Sequence, residues 1–190
     1  PPLLYSSAAS DVYKRQIPNF GEVSNPFISS ELEVTIAQKG KQLDFPADLW
    51  AVRSSDTDSL VLSDWYIGPS SNAPLGGEAG SIIQESFLDP SSEIGQVKTS
   101  EDANVFLTNY LNAQYDNGNG AGKYVFFRVN KGDQNSFVYG WNAYVLKSSQ
   151  AEDGQATSPE IKYTSVVDPI DLPETEPEPE TEPEPQTEPE

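Results

Sequence analysis

The residues of this chain that could do chemistry are carboxylates, amides and aromatic rings. Cysteine, histidine and methionine are absent. That removes disulfides, thiolate nucleophiles, imidazole metal ligands and every triad that uses histidine as base. The most suggestive grouping is Asp64-Trp65-Tyr66, which runs into the stretch Gly68 to Gly80. That stretch holds four glycines, two prolines and two serines, and reads as a long loop. A sugar ring stacks its C–H face on an aromatic ring, and its hydroxyls need polar partners. Trp65 or Tyr66 would be the platform, and Asp64, Asn72 and Glu78 would supply hydrogen bonds, charged acceptors making the stronger ones. Consecutive strand residues point to opposite faces, so one of the two rings should be exposed. The plainer alternative is that both rings are buried and the loop is merely long.

Other chemistry finds less support. Asp64, Glu78, Glu85 and Asp89 lie near the loop, but nothing in the sequence fixes a separation suited to a glycosidase pair. No catalytic residue is assigned. Asp116-Asn117-Gly118-Asn119-Gly120 has the look of a calcium loop. It lacks the glycine at position six and the acidic twelfth residue of an EF-hand, and a helix stop explains it better. No cofactor is expected; a structural calcium would draw on Asp56, Asp58 or Asp133, and no spacing supports one. Asn119 to Lys123 is glycine-rich but precedes a strand, whereas a phosphate loop precedes a helix.

The elements that would position these groups can be read from periodicity. Leu32, Val34 and Ile36 alternate with polar residues, which predicts a half-buried strand. Ala47 to Arg53 is apolar on both faces, Leu49 and Ala51 on one and Trp50 and Val52 on the other, so a strand covered on both sides is expected. Leu60 to Ile67, Ser81 to Phe87 and Gly95 to Thr99 are further strand candidates. Ala103 to Tyr115 carries Leu107, Tyr110 and Leu111 on one face and predicts a helix, capped by Ser100 or Asp102 and stopped by Gly118 and Gly120. Lys123 to Asn130 is again apolar on both faces. Phe137 to Leu146 and Glu160 to Val167 follow as strands. Many short strands with one helix and Gly/Pro turns predict an all-β, antiparallel, jelly-roll-like sandwich.

The chain of 190 residues suits one domain with appendages. Net charge is -19, which makes nucleic acid and anionic membranes poor partners. No apolar run is long enough to span a membrane. Charge is uneven: Asp171 to Glu190 holds nine acidic residues and no basic ones, while Ile17 to Ile170 carries twenty acidic and nine basic. Residues 169–190 alternate acid and proline, with nothing apolar after Leu172, and predict a disordered, extended spacer. Residues 1–16 are set apart as well. Ser6 to Gln16, SSAASDVYKRQ, reads as the in-frame translation of a transposase adapter from sequencing libraries. The native sequence is then expected to begin at Ile17, with 1–16 outside the fold and 17–168 forming a sandwich without its first strands.

Within that span, IPNFGEVSNPF, ADLWAVR, SDWYIG, IIQESFLDPSSEIGQV, FLTNYLNAQYDNGNGAGKYVFFRVN and SPEIKYT follow in an order that resembles one family. These pieces are similar to the disaggregatase-related, carbohydrate-binding-like sandwiches of secreted marine-bacterial proteins, often called DNRLRE-type domains. The resemblance implies attachment or glycan binding beside other domains of the same chain, and an extracellular or cell-surface setting. It carries no functional residue across. The expected function is a non-catalytic, carbohydrate-binding-like module that meets a polysaccharide. A structural or adhesive spacer is the alternative, and a fragment of a polysaccharide-acting enzyme comes third.

Overall fold

The computed structural model describes residues 10–41, 43, 45–61, 64, 80–131, 144–147 and 159–170. Among them are eight strands and one α-helix. The strands are β1 (Ser10–Gln16), β2 (Phe27–Lys39), β3 (Ala47–Ser55), β4 (Ser81–Leu88), β5 (Gly95–Lys98), β6 (Tyr124–Lys131), β7 (Tyr144–Leu146) and β8 (Glu160–Ser165). The helix α1 spans Glu101–Tyr115, between β5 and β6.

All pairings are antiparallel, and the strands form two sheets. The first runs β1-β6-β3-β4. In the second, β5 lies on one edge of β2, because Glu33 pairs with Lys98 there and with Glu160 of β8 on the other. β7 takes the rest of that second edge, from Ile36 to Lys39. The chain passes repeatedly from one sheet to the other, and the expected all-β sandwich with a single helix is what forms.

The core follows from strand alternation. Val125, Phe127 and Val129 of β6 meet Ala47, Leu49 and Ala51 of β3 on the inner face of the first sheet. Phe27, Leu32, Val34 and Ile36 of β2 face them from the second. The helix adds Leu107, Leu111 and Tyr115 to this cluster, with Tyr110 packed against it.

The helix starts slightly earlier than its apolar spacing suggests. Ser100 Oγ accepts a hydrogen bond from Ala103 N at 3.3 Å, and Glu101 and Asp102 sit in the first turn, where the helix dipole favours negative charge. Its stop is not made by glycine alone. Asp116 takes the left-handed conformation at φ 41, Asn117 follows at φ 55, and Gly118 comes third at φ 96. Asp and Asn tolerate this region better than other non-glycine residues. Gly120 is needed for space, since a Cβ there would lie 1.9 Å from the Gln114 carbonyl oxygen.

Side chains from the last helical turns lock the segment between β1 and β2. Tyr115 Oη donates to Gly21 O at 2.6 Å and accepts from Phe20 N at 2.8 Å. The Asn112 amide accepts from Phe27 N and donates to Phe27 O.

Three expectations need correction. Residues 10–16, expected to lie outside the fold, form β1 and pair with β6 from Ser10↔Asn130 to Gln16↔Tyr124. The ladder is made by backbone groups, which the edge of β6 offers to any extended segment. The domain also reaches beyond residue 168, because Ile170 N donates to Asn19 O at 2.6 Å. Leu60, Val61 and Asp64, expected in a strand from their apolar run, are not in one. Residues 1–9 and 171–190, and the strand expected at 137–143, lie outside the described residues.

Candidate functional site

β3 sits between β6 and β4, and its alternation sends Asp48, Trp50 and Val52 away from the core. The register with β6 sets Asp48 opposite Asn130 and Trp50 opposite Arg128, so these four share one outer face. An outer face of a sheet is ordinarily open to water, yet Arg128 is 0% exposed, Asn130 1%, Trp50 7% and Asp48 9%. Arg128 Nε donates to Asn130 Oδ1 at 3.0 Å. Asp48 Oδ1 accepts from Ser86 N at 2.8 Å. Ser86 is at φ 50, inside a bulge where the β3–β4 register jumps between Ala47↔Leu88 and Leu49↔Gln84. The Asp48 carboxylate satisfies the N–H that this bulge takes out of the ladder.

The roots of the expected binding loop lie on the same sheet. Arg53 of β3 follows another register shift and turns its guanidinium toward Asp64. Arg53 Nε donates to Asp64 Oδ1 at 2.5 Å and Nη2 donates to Oδ2 at 2.7 Å. Asp64 Oδ2 also accepts from Val61 N at 2.8 Å. The Arg53 guanidinium carbon stands 3.9 Å from the centroid of the Phe126 ring, a cation–π contact. At the other root, a Cβ on Gly80 would lie 2.7 Å from the Ala51 carbonyl oxygen and 3.6 Å from the Trp50 ring. Only glycine lets the backbone pass this close. Asp64 and Gly80, the described ends of the segment, are thus both seated on β3.

Of the residues expected to contact a ligand, Asp64 is the one the structure describes. It is 0% exposed and bound to Arg53 and Val61, so its hydrogen-bonding capacity is spent inside the protein. The reason is electrostatic: the carboxylate that precedes the long loop comes back onto the arginine that ends the apolar run of β3. Trp65, Tyr66, Asn72 and Glu78 lie outside the described residues. Trp50, expected in the interior, is buried, though on the outer face of its sheet.

Two of the three carboxylates considered for calcium, Asp56 and Asp58, face lysines. Lys14 Nζ donates to Asp58 Oδ2 at 2.7 Å, and this hydrogen bond, followed by the charge itself, holds Asp58 below the ordinary carboxylate range. Asp56 faces Lys123 at 3.6 Å. Asp133 lies outside the described residues, and among those described no group of three or more acidic side chains is placed to hold a metal.

Sequence reasoning alone does not single out Asp48, Arg53, Arg128 and Asn130. A signal for them exists all the same. ADLWAVR and KYVFFRVN read as covered on both faces, and each contains a charge within its apolar run. A charge in a doubly covered strand has to be partnered, so Asp48 and Arg128 are legible as a buried polar set. What that set can do is fix geometry: Arg128 and Asn130 bond to one another, and Asp48 holds the bulge of β4. No helix among the described residues is long and apolar enough to cross a membrane. Comparison with family models, curated proteins and solved structures gives no match.

Proposed function

We propose that this chain is a non-catalytic, carbohydrate-binding-like module of a secreted or cell-surface protein. Its ligand, a polysaccharide, would be met over segment 65–79. The observation that carries the reading is the seating of that segment: Asp64 through Arg53, and Gly80 against Ala51 and Trp50, both on a strand central to its sheet. Two seated roots fix where the segment leaves and rejoins the sheet, which lowers the ordering cost of binding a ligand through Trp65, Tyr66, Asn72 and Glu78. The low-complexity acidic run that follows residue 170 fits a spacer to further domains.

The test is a titration of algal and bacterial polysaccharides followed by tryptophan fluorescence, repeated with Trp65→Ala and Tyr66→Ala. Circular dichroism first establishes that both variants are folded. Binding by the wild type that at least one substitution abolishes supports the proposal. Binding that survives both places the ligand elsewhere. The commitment of Asp64 to Arg53 favours a second reading, a structural or adhesive spacer, and absence of binding to every polysaccharide would select it.

A further inference from the structure

β1 fits its place by backbone and misfits it by side chain. The register sets Tyr13 opposite Phe127 and Arg15 opposite Val125, so these β1 residues lie on the core-facing side of the ladder. Tyr13 packs against the core. Arg15 does not complete it. With Gln16, Ile17 and Pro18 it lines the rim of a pocket of about 60 Å3 whose wall includes Phe27, Leu111, Val125, Ile161 and Tyr163. The cavity opens between the β1 edge of one sheet and β8 of the other. The Arg15 guanidinium makes one hydrogen bond, from Nη1 to the neighbouring Lys14 O at 2.8 Å, and has no carboxylate within ion-pair distance among the described residues. Burial lowers its pKa, opposed by the more distant charge of Glu160. None of the described β1 side chains from Val12 to Gln16 is fully buried, whereas Val125, Phe127 and Val129 of β6 all are.

We infer that the outer edge of β6 is a strand-acceptor site, and that its fitted occupant is an extended peptide carrying an apolar side chain at the position Arg15 now holds. Backbone hydrogen bonds would supply affinity, and the cavity under that position would supply selectivity, as in other cases of strand addition. A cation over an apolar floor is the wrong charge for the place, and a branched aliphatic side chain is the right one. A second copy of this chain is a poorer occupant, because it would bring the same arginine to the same cavity. Ile17 continues the pairing beyond β1, its N donating to Lys123 O at 2.7 Å and its O accepting from Gly122 N at 2.9 Å. The pairing at the end of that edge therefore does not depend on β1.

The experiment uses the full chain in two arms. In the first, Arg15→Leu fills the cavity and raises the melting temperature by about 2–4 °C, while Arg15→Ala, which removes the aliphatic stem that lines its rim, lowers the midpoint. In the second, Tyr13→Pro with Arg15→Pro removes two N–H groups on the side of the strand that, by alternation from Ile17 N, faces β6, and so prevents β1 from pairing. A synthetic heptapeptide of residues 10–16 carrying Arg15→Leu then binds this chain at least tenfold more tightly than the unaltered heptapeptide, read by calorimetry. A midpoint lowered or unmoved by Arg15→Leu, or raised equally by Arg15→Ala, overturns the inference even if the proline variant does not fold. So do two peptides of equal affinity, or none that binds. A wild-type dimer that exchanges β1 would give the edge to a second copy and overturn the choice of occupant.

Discussion

In the first sheet Arg128 is enclosed completely, on a face that its strand neighbours Phe126 and Asn130 share in burial. In the second, Glu33 is nearly as enclosed but lies under two lysines that reach water. Lys162 Nζ approaches its Oε2 at 3.0 Å and Lys98 Nζ at 3.6 Å, and Gln96 donates to its Oε1 at 2.7 Å. Both lysines are close to half exposed. The two middle strands of one sheet, β3 and β6, are therefore covered on both faces, and the other sheet keeps one face solvated through a ladder of charges from β5 across β2 to β8. The difference bears on function. A doubly covered sheet is a rigid platform, which is what loop roots at Arg53 and Gly80 require; a solvated ladder adapts to salt and pH without disturbing the core.

Arg128→Ala should show the contrast at its largest. Emptying a large, fully buried side chain and leaving Asn130 Oδ1 without its donor costs about 3–5 kcal/mol, measured by urea unfolding. A loss below about 0.5 kcal/mol, the scale of an ordinary surface substitution, would mean that the outer face of the first sheet is solvated like that of the second.

The helix serves both sheets, and its loss should not distinguish them. Leu111→Ala removes a side chain that sits in the common core and costs about 2–5 kcal/mol. Hydrogen exchange should then rise in β2 and β6 together; a rise confined to one would show that the sheets unfold separately. Tyr115→Phe is smaller, about 1–3 kcal/mol, because only the hydroxyl between Phe20 N and Gly21 O is lost. Its effect should centre on residues 17–27, where those partners lie. An unchanged midpoint would transfer the anchoring of that segment to the Asn112 amide.

The parts of this molecule that follow from local pattern are legible in the amino-acid sequence. Leu107 and Leu111 at helical spacing announce α1, and two-sided apolarity announces the burial of Trp50, Val125 and Phe127. What cannot be read there depends on long-range register. Glu33 alternates with Leu32 and Val34 as a solvent-facing residue would, and its burial arises only because β5 and β8 bring Lys98 and Lys162 over it. Asp64 has the local setting of a loop acceptor, and only the return of the chain onto Arg53 spends its carboxylate. β1 has no apolar alternation, because its pairing rests on the backbone of β6 and not on its own side chains. The bulge at Ser86 likewise has no glycine to announce it; Asp48, far away in sequence, makes it tolerable.

The smallest expected effect lies on the solvated ladder, and it concerns pH. The hydrogen bond and charge of Glu31, followed by the charge of Glu33, raise the pKa of Lys98 above its ordinary value. A lysine whose folded pKa exceeds its unfolded value contributes stability that is complete below the unfolded pKa. That contribution disappears as pH rises through the folded one. The wild type should thus lose a part of its stability in the alkaline range, above the ordinary lysine pKa of roughly 10.4. Lys98→Met should lack that part, so the two denaturation midpoints converge as pH rises. Both ends of the Lys98–Glu31 contact are accessible to water, at 49% and 29% of the side chain. Salt should therefore shrink the difference already at neutral pH. Arg128 is closed off from solvent, so salt should leave the effect of its own variant unchanged. A midpoint difference between wild type and Lys98→Met that holds constant from about pH 8 to about pH 11, across the ordinary lysine range, and from low to high salt would erase the distinction between the two sheets.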